Sequence, residues 1–372
     1  MARCLFLISD VLWTGRARAL VSGARGIALR GHSVVAMAPL NSVAFSDLHG
    51  DSDSTRIMVQ PLAPRGRRAV APRVRGIRKA IRENEIEIVF VNDDADHFAV
   101  ALAVVALRQS PQLVRRIAVG ERVRPTRLGR LAERLTVATP LVTGRAGIDR
   151  AGPDTPRFRV ELGVAVPDDP TGHQPSAPLL VCVYDANTTI HASRVLRAVT
   201  MLRKRHRDLT LCMVASAEVP ERLRMQAAAL GLSRVVRWLQ APVGVAHALT
   251  HAAAVVVAVG GDDAVYATLD GMSNGVPVVA PRAAIFERYV ANGISGILLD
   301  TFDAPACAAA LATLVHDAER RSAMGGVARA RVARDYPEPQ YIDGLETLIH
   351  ALAPGGGGGG ALSSNTPVAG VA

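Results

Sequence analysis

At 372 residues the chain is longer than one hydrophobic core usually supports, and with 49% hydrophobic residues it has apolar material for two domains. The formal charge of +10 favours anionic partners, while an aromatic content of 4% leaves little to stack on bases, so a nucleic-acid surface is not expected. Cys4, Cys182, Cys212 and Cys307 are scattered without a Cys-x-x-Cys pair, which argues against a zinc site or disulfide framework and for reduced thiols in a cytoplasmic protein. No apolar run approaches the roughly 18 residues that span a bilayer, and Leu5–Ile8, ended by Asp10, is too brief for a signal-peptide core.

In chain order, Cys4–Ile8 reads as a strand, Arg16–Arg30 as an amphipathic helix, Gly31-His32 as a turn and Ser33–Ala38 as the next strand. Between Asp53 and Glu83 there is no acid, while Arg56, Arg65, Arg67, Arg68, Arg73, Arg75, Arg78, Lys79 and Arg82 crowd together. That stretch is either a solvated basic face or, from Arg65 to Arg82, a contact for an anionic membrane surface. Val74–Arg82 reads as a basic helix and Ile86–Val91 as a strand whose end carries Asn92-Asp93-Asp94 and Asp96-His97. Ala99–Arg108 is expected to be a buried helix, and Pro140–Thr143 and Arg159–Val164 strands.

Asp168–Ala177, with Pro170, Gly172 and Pro175, has the composition of a linker. A second series follows, with strands at Leu179–Val183, Leu211–Val214, Ala253–Val259 and Val276–Val279. Helices are expected at Ser193–His206, Pro220–Leu230 and Ala304–Val315, with a terminal one at Tyr336–Leu352. Strands alternating with longer helices predict an α/β protein with parallel sheets covered on both faces. The expected divisions are a first domain over 1–167, a linker over 168–177, a second domain over 178–335, a helix over 336–353 and a disordered tail over 354–372 built around Gly355–Gly360.

The second domain holds Asp262 and Asp270, eight apart, followed by Gly271-Met272-Ser273-Asn274-Gly275-Val276-Pro277-Val278-Val279 and then Phe286-Glu287 through Asn292-Gly293-Ile294-Ser295-Gly296. This order resembles the nucleotide-sugar site of family 4 glycosyltransferases of the GT-B fold, which read Glu-x7-Glu-Ala-Met-x-x-Gly-x-Pro-Val-Val and then Pro-Glu-x-Val-x-x-Gly-x-x-Gly. The helix ending in Arg30-Gly31-His32 before a valine strand is similar to the family's opening. The resemblance implies GT-B architecture, two doubly wound Rossmann-like domains facing a central cleft. It further implies a retaining glycosyltransferase that moves a sugar from a nucleoside diphosphate donor to a glycan or lipid-linked acceptor, without metal or other cofactor.

By the same resemblance Asp262 would meet the donor sugar and Asp270 the ribose. Gly261 and the N–H groups of Asp263, Ala264 and Val265 would meet the diphosphate at the positive end of a helix. Gly15 and Arg16 would reach the phosphates from the first domain, and His97 is the local candidate for the catalytic histidine of that domain. The plainer alternatives are an N-cap for Asp262, a solvent-facing position for Asp270, a polar first turn for Arg16 and a hydrogen-bonded structural role for His97.

Several positions depart from the family pattern. Both acids are Asp, withdrawing each carboxylate by on the order of 1.5 Å. Trp13-Thr14-Gly15-Arg16 keeps one glycine of the usual pair, and Leu162 replaces an Asn. Asp185 and Ile190 occupy the places of an Arg and a Lys that neutralise the leaving diphosphate, and an acid there changes attraction into repulsion of about 4 kcal/mol per close pair at an effective dielectric near 20. His191, Arg194 and Arg197 are the nearby groups that could substitute, Arg194 being the donor-binding candidate. These departures define the alternative, a catalytically degenerate GT-B protein serving as a binding or assembly partner in glycan biosynthesis. A sugar-nucleotide epimerase on the same frame is a third expectation.

Overall fold

A computed structural model describes residues 1–50, 56–105, 107–121, 126–136, 138–143, 158–168 and 178–352. The expected linker beyond Asp168 and the expected tail over 354–372 lie outside the described residues. The chain divides into two compact units, the first comprising Met1–Val11, Arg16–Glu161 and the chain from Ile342, the second Leu12–Gly15 and Leu162–Tyr341.

In the first unit the elements are β1 Arg3–Leu7, α1 Gly15–Leu29, β2 Ser33–Ala38, α2 Val43–Gly50, β3 Ile57–Pro61, α3 Val70–Glu83 and β4 Ile88–Val91, then α4 Asp94–Val104, β5 Gln112–Ile117, α5 Arg127–Leu135, β6 Ala138–Thr143 and β7 Phe158–Val160. Among the described residues they build a parallel sheet in the order β3-β2-β1-β4-β5-β6-β7. Strands covered on both faces read as continuous apolar runs, and Leu5 sits between Val35 and Val89 in register. On one face Leu5, Leu7, Met37 and Val89 pack with Ile77, Ile81 and Val100 from the helices. Phe6 and Phe90 stack at 4.6 Å between ring centres.

The second unit contains β8 Leu179–Tyr184, α6 Thr189–Leu202, β9 Thr210–Ala215, α7 Glu221–Ala229, β10 Val236–Gln240, α8 Val245–Thr250, β11 Ala252–Ala258 and α9 Gly261–Ser273. It continues with β12 Val278–Pro281, α10 Ala284–Glu287, β13 Gly296–Leu299, α11 Ala304–His316 and α12 Ala318–Asp335. Its parallel sheet runs β10-β9-β8-β11-β12-β13. Leu180, Cys182 and Val256 meet Val195, Val199, Cys307 and Leu311 in its core. The last helix, α13 Glu338–Leu352, belongs from Ile342 to the first unit, where Arg30 bonds Asp343 and Glu346.

In each sheet the strand order reverses beside the first strand, between β1 and β4 and again between β8 and β11. Ligands of open α/β sheets collect beyond the carboxyl ends of the strands at such points. Several expected elements differ from the structure: the helix expected from Val74 starts at Val70, the one expected over Ser193–His206 runs Thr189–Leu202, the strand expected over Val276–Val279 is Val278–Pro281, and two more stand out. The helix expected over Ala99–Arg108 starts at Asp94, because the Asp93 side chain accepts from Asp96 N–H at 2.9 Å and caps α4. The strand expected over Arg159–Val164 stops at Val160, and Val164 forms an isolated bridge to Pro337.

Helix α12 approaches the end of α9 through a glycine: a Cβ placed on Gly325 would lie 1.9 Å from the Gly275 carbonyl oxygen, whereas one on its neighbour Gly326 would meet nothing. Gly325→Ala should therefore destabilise the protein by about 1–3 kcal/mol, while Gly326→Ala, at an exposed helical position, should be neutral or stabilise by up to about 1 kcal/mol. Urea midpoints of the two variants test the contrast.

Candidate functional site

Strand β11 runs through Val259 into Gly260, which is extended at φ −115° and ψ 178°, and Gly261, at φ +63°. That second angle lies in the left-handed region open to glycine, and it turns the chain from the sheet into α9. Gly260 stands at the N-cap and no side chain caps the helix, so Asp262 is not a cap. It is 2% exposed. The Ala264 N–H donates to the Gly260 carbonyl at 3.3 Å, and both Ala264 and Val265 are fully buried. These two drop out of the expected phosphate-binding set, since the helix positions whose N–H groups lack an intrahelical acceptor come before them. Asp270 is half-buried, about 12 Å further along the axis at 1.5 Å per residue. Its carbonyl receives Asn274 Nδ2 at 2.8 Å and Ser273 Oγ at 3.1 Å, closing the helix.

Within the second unit, Gly15 N–H donates to Asp263 Oδ1 at 2.8 Å. Gly15 rests on the first turn of α9 so closely that a Cβ there would be 2.6 Å from Asp262 C and Asp263 N, and 2.8 Å from Asp262 Cβ. Trp13, Tyr184, Asp185, Val259 and Asp263 are among the residues lining a cavity of about 40 Å3 at this reversal of strand order. No Lys or Arg lines it among the described residues, while two carboxylates do.

Asp185, in the expected position of a cation, is turned on its own loop. Its Oδ1 accepts from Asn187 N–H at 2.7 Å and Thr188 N–H at 2.8 Å, forming the turn that opens α6. Ile190 is 60% exposed. Arg194 is engaged elsewhere, donating from Nη1 to the Phe302 carbonyl at 2.9 Å, and Arg197 is on the exposed face of α6. The His191 ring packs on Phe302 at 5.2 Å, and burial followed by Arg194 holds its pKa below the usual value. Arg194 is thus bonded to Phe302 and is not among the residues lining the cavity.

In the first unit a charged network that was not legible in the sequence fills the reversal point. Asp96, 1% exposed, accepts from Ser9 Oγ at 2.8 Å, Arg73 Nη2 at 2.5 Å and Arg65 Nη2 at 3.1 Å, and Arg65 also bonds Asp93. Burial and then Asp93 push the Asp96 carboxyl up, against the pull of Arg65 and Arg73. Asn92 takes Arg116 Nη1 on Oδ1 at 3.2 Å and donates to the Arg16 carbonyl at 3.0 Å, which anchors the main chain of Arg16. His97 is not a substrate-facing group: capping at Asp93 carries it into α4, where it is 3% exposed and its Nε2 lies 3.1 Å from Thr136 Oγ1.

The basic stretch also divides. Arg65 and Arg73 serve the Asp96 network, and Arg78 donates to the carbonyls of Ala103 at 2.9 Å and Leu102 at 2.8 Å. Arg68, Arg75, Lys79 and Arg82 stay exposed, the last three at helical spacing on α3. His32, Glu346 and His350 place donor atoms within 4.8 Å of one another. They do not suit a metal, because Ala2 N–H donates to His32 Nδ1 at 3.1 Å, which puts the ring proton of the neutral imidazole on Nε2, the nitrogen facing Glu346.

Residues 168–331 match the family model described as Glycosyl transferases group 1. A D-inositol 3-phosphate glycosyltransferase of Corynebacterium jeikeium is 33% identical over 171 residues, 44% of this chain and 41% of that protein. The matches span about two fifths of the length of these curated relatives. Among solved structures, Anabaena HepE in complex with UDP and glucose superposes with a TM-score of 0.72 at 17% identity, over 94% of this chain and 99% of that one. A glycosyltransferase from Rickettsia africae gives 0.72 at 14% identity, over 94% and 98%. The two parallel-sheet Rossmann-like units are those of the GT-B class, as the sequence resemblance implied.

Burial, then Arg115, hold the His97 imidazole below its usual value of 6.5. The folded state therefore keeps the ring neutral where the unfolded chain takes up a proton, so its contribution to stability is present above about pH 6.5 and is lost as pH falls. Between pH 7 and pH 5 the urea midpoint of the parent protein should drop further than that of His97→Gln. An identical drop in both would show that the ring is not held neutral.

Proposed function

We propose that the protein is a retaining glycosyltransferase, similar to family 4, that transfers a sugar from a nucleoside diphosphate donor to a glycan or lipid-linked acceptor. The observation that carries this reading is the pair Asp262 and Asp270 on α9, which starts at the β8/β11 reversal inside the segment that matches the glycosyl transferases group 1 model. A carboxylate accepts from two vicinal hydroxyls at once, which suits Asp270 to a ribose and Asp262 to a sugar. The start of α9 supplies a positive helix end for the diphosphate. This chemistry calls on no metal and no cofactor beyond the donor. UDP accompanies one of the structural neighbours, so UDP and GDP are the first probes. The curated relatives are named for D-inositol 3-phosphate, which puts a phosphorylated polyol beside glycan and lipid-linked acceptors in an assay.

The alternative, a degenerate binding partner, draws on Asp185 and on the absence of a cation from the cavity wall among the described residues. The transferase names of the relatives favour the enzyme. Asp270→Ala should weaken UDP or GDP binding on the order of tenfold to a hundredfold, the value of a charge-assisted hydrogen bond, while leaving the melting curve in place. Calorimetric titration of both proteins decides it, and unchanged affinity would remove the ribose role.

No helix of the described residues is long and apolar enough to cross a membrane. We place the protein in the cytoplasm, with the exposed face of Arg68, Arg75, Lys79 and Arg82 as its contact with an anionic bilayer. Each cation near such a surface contributes about 1 kcal/mol. Replacing these four by Gln should abolish cosedimentation with phosphatidylglycerol vesicles, and high salt should do the same to the parent protein.

A further inference from the structure

We infer that Asp263 sets how tightly this site accepts an anionic nucleotide: its carboxylate, in the first turn of α9, takes the Gly15 N–H, and a nucleoside diphosphate binds by displacing it from that donor. The inference rests on the donor-site reading above and deepens it.

A helix start carries about half a positive charge and attracts one anion. Asp263 lies in the first turn of α9, and its Oδ1 receives the Gly15 N–H at 2.8 Å. Gly15 in turn lies against the backbone of Asp262 and Asp263, so the loop, the main chain and the carboxylate form one packed group over the first turn. The cavity beside it, about 40 Å3, has Asp263 on its wall. An incoming diphosphate would meet Asp263 and Asp185 with no Lys or Arg on the cavity wall among the described residues. Of the two acids, Asp185 is held by two N–H groups of its own turn. Asp263 holds the main-chain N–H of Gly15, at the first residue of α1, and its withdrawal releases that N–H toward the ligand.

The consequence is specific to charge. A neutral side chain of the same shape keeps an oxygen for Gly15 and removes the repulsion, so Asp263→Asn should bind phosphate-bearing ligands more tightly and leave neutral ligands alone. The test is calorimetric titration of UDP, GDP, uridine and guanosine into the parent protein, Asp263→Asn and Asp270→Ala, at low and at high salt. At low salt Asp263→Asn should bind the preferred diphosphate on the order of tenfold or more tightly than the parent, with less than about a twofold change for the matching nucleoside. The gain should shrink at high salt. Asp263→Ser, also neutral and also able to accept from Gly15, should show the same sign, and it replaces the Asn variant should that protein melt early.

Equal or weaker diphosphate binding by the neutral variants, with Asp270→Ala still impaired, overturns the role of Asp263 and leaves the donor site standing. A gain of equal size for uridine or guanosine overturns it too, because displacement of a charge cannot act on a neutral ligand. Failure of every variant and of the parent to bind either diphosphate removes the donor site and this inference together.

Discussion

The hydrogen bond from Gly15 N–H to Asp263 Oδ1 is the constraint around which the reversal point of the second unit is organised. A parallel sheet delivers its strand ends and its helix starts to the same edge, so main-chain N–H groups accumulate there without helical acceptors. Something must accept from them. In this unit the acceptors are the protein's own acids, with Asp263 taking Gly15 and Asp185 taking Asn187 and Thr188. Gly261 is left-handed for the same reason, because the chain must leave β11 and begin α9 within two residues. The result is an edge whose donors at Gly15, Asn187 and Thr188 are already taken by the protein's own carboxylates.

The first unit reaches a similar condition by another route. Its reversal point is filled by Asp96 with Ser9, Arg73 and Arg65, and Asp93 both caps α4 and shares Arg65. Burying such charges is costly in itself, and their attraction offsets the cost only when the geometry is complete. Loss of either partner leaves a charge in the interior, which typically costs about 3–5 kcal/mol. A residue such as Asp96 is thus tied to Arg73 as closely as an apolar core residue is tied to its neighbours. Its position in a polar run at a strand end gives the appearance of a reactive group, while its contacts make it part of the frame.

Several strands were legible where burial on both faces left an uninterrupted apolar run, though β3 and the apolar β13 were not. Ser33–Ala38 was read residue for residue, and β1, β8 and β11 to within one. Strands β5 and β10 escaped because Arg115, Arg116 and Arg237 interrupt their patterns, the first two finding partners only in three dimensions. The glycine pair before α9 and the spacing of Asp262 and Asp270 were visible for the same local reason. The partner of Asp263 was not, since Gly15 lies 248 residues away. His97 misled because a cap one turn earlier, which fixes the phase of the helix, decides whether such a side chain faces solvent or core. Once Asp93 starts the helix, His97 must point toward Thr136.

Charge shows the limit of local reading most clearly. The run from Arg56 to Arg82 reads as one basic block, and the structure separates it by the length and direction of each side chain. Arg73 is buried against Asp96, Arg78 bonds helix carbonyls, and Arg75, Lys79 and Arg82 face outward at positions that repeat with the helical turn. A long cation finds an interior acceptor when its Cα lies above one, and otherwise extends into water with its stem on the surface. The same rule applies to Arg194 on α6, whose Nη1 donates to the carbonyl of Phe302 just before α11. A charge deficit in a sheet-end crevice cannot be corrected by any neighbouring arginine in sequence; it requires one whose helix phase aims it there.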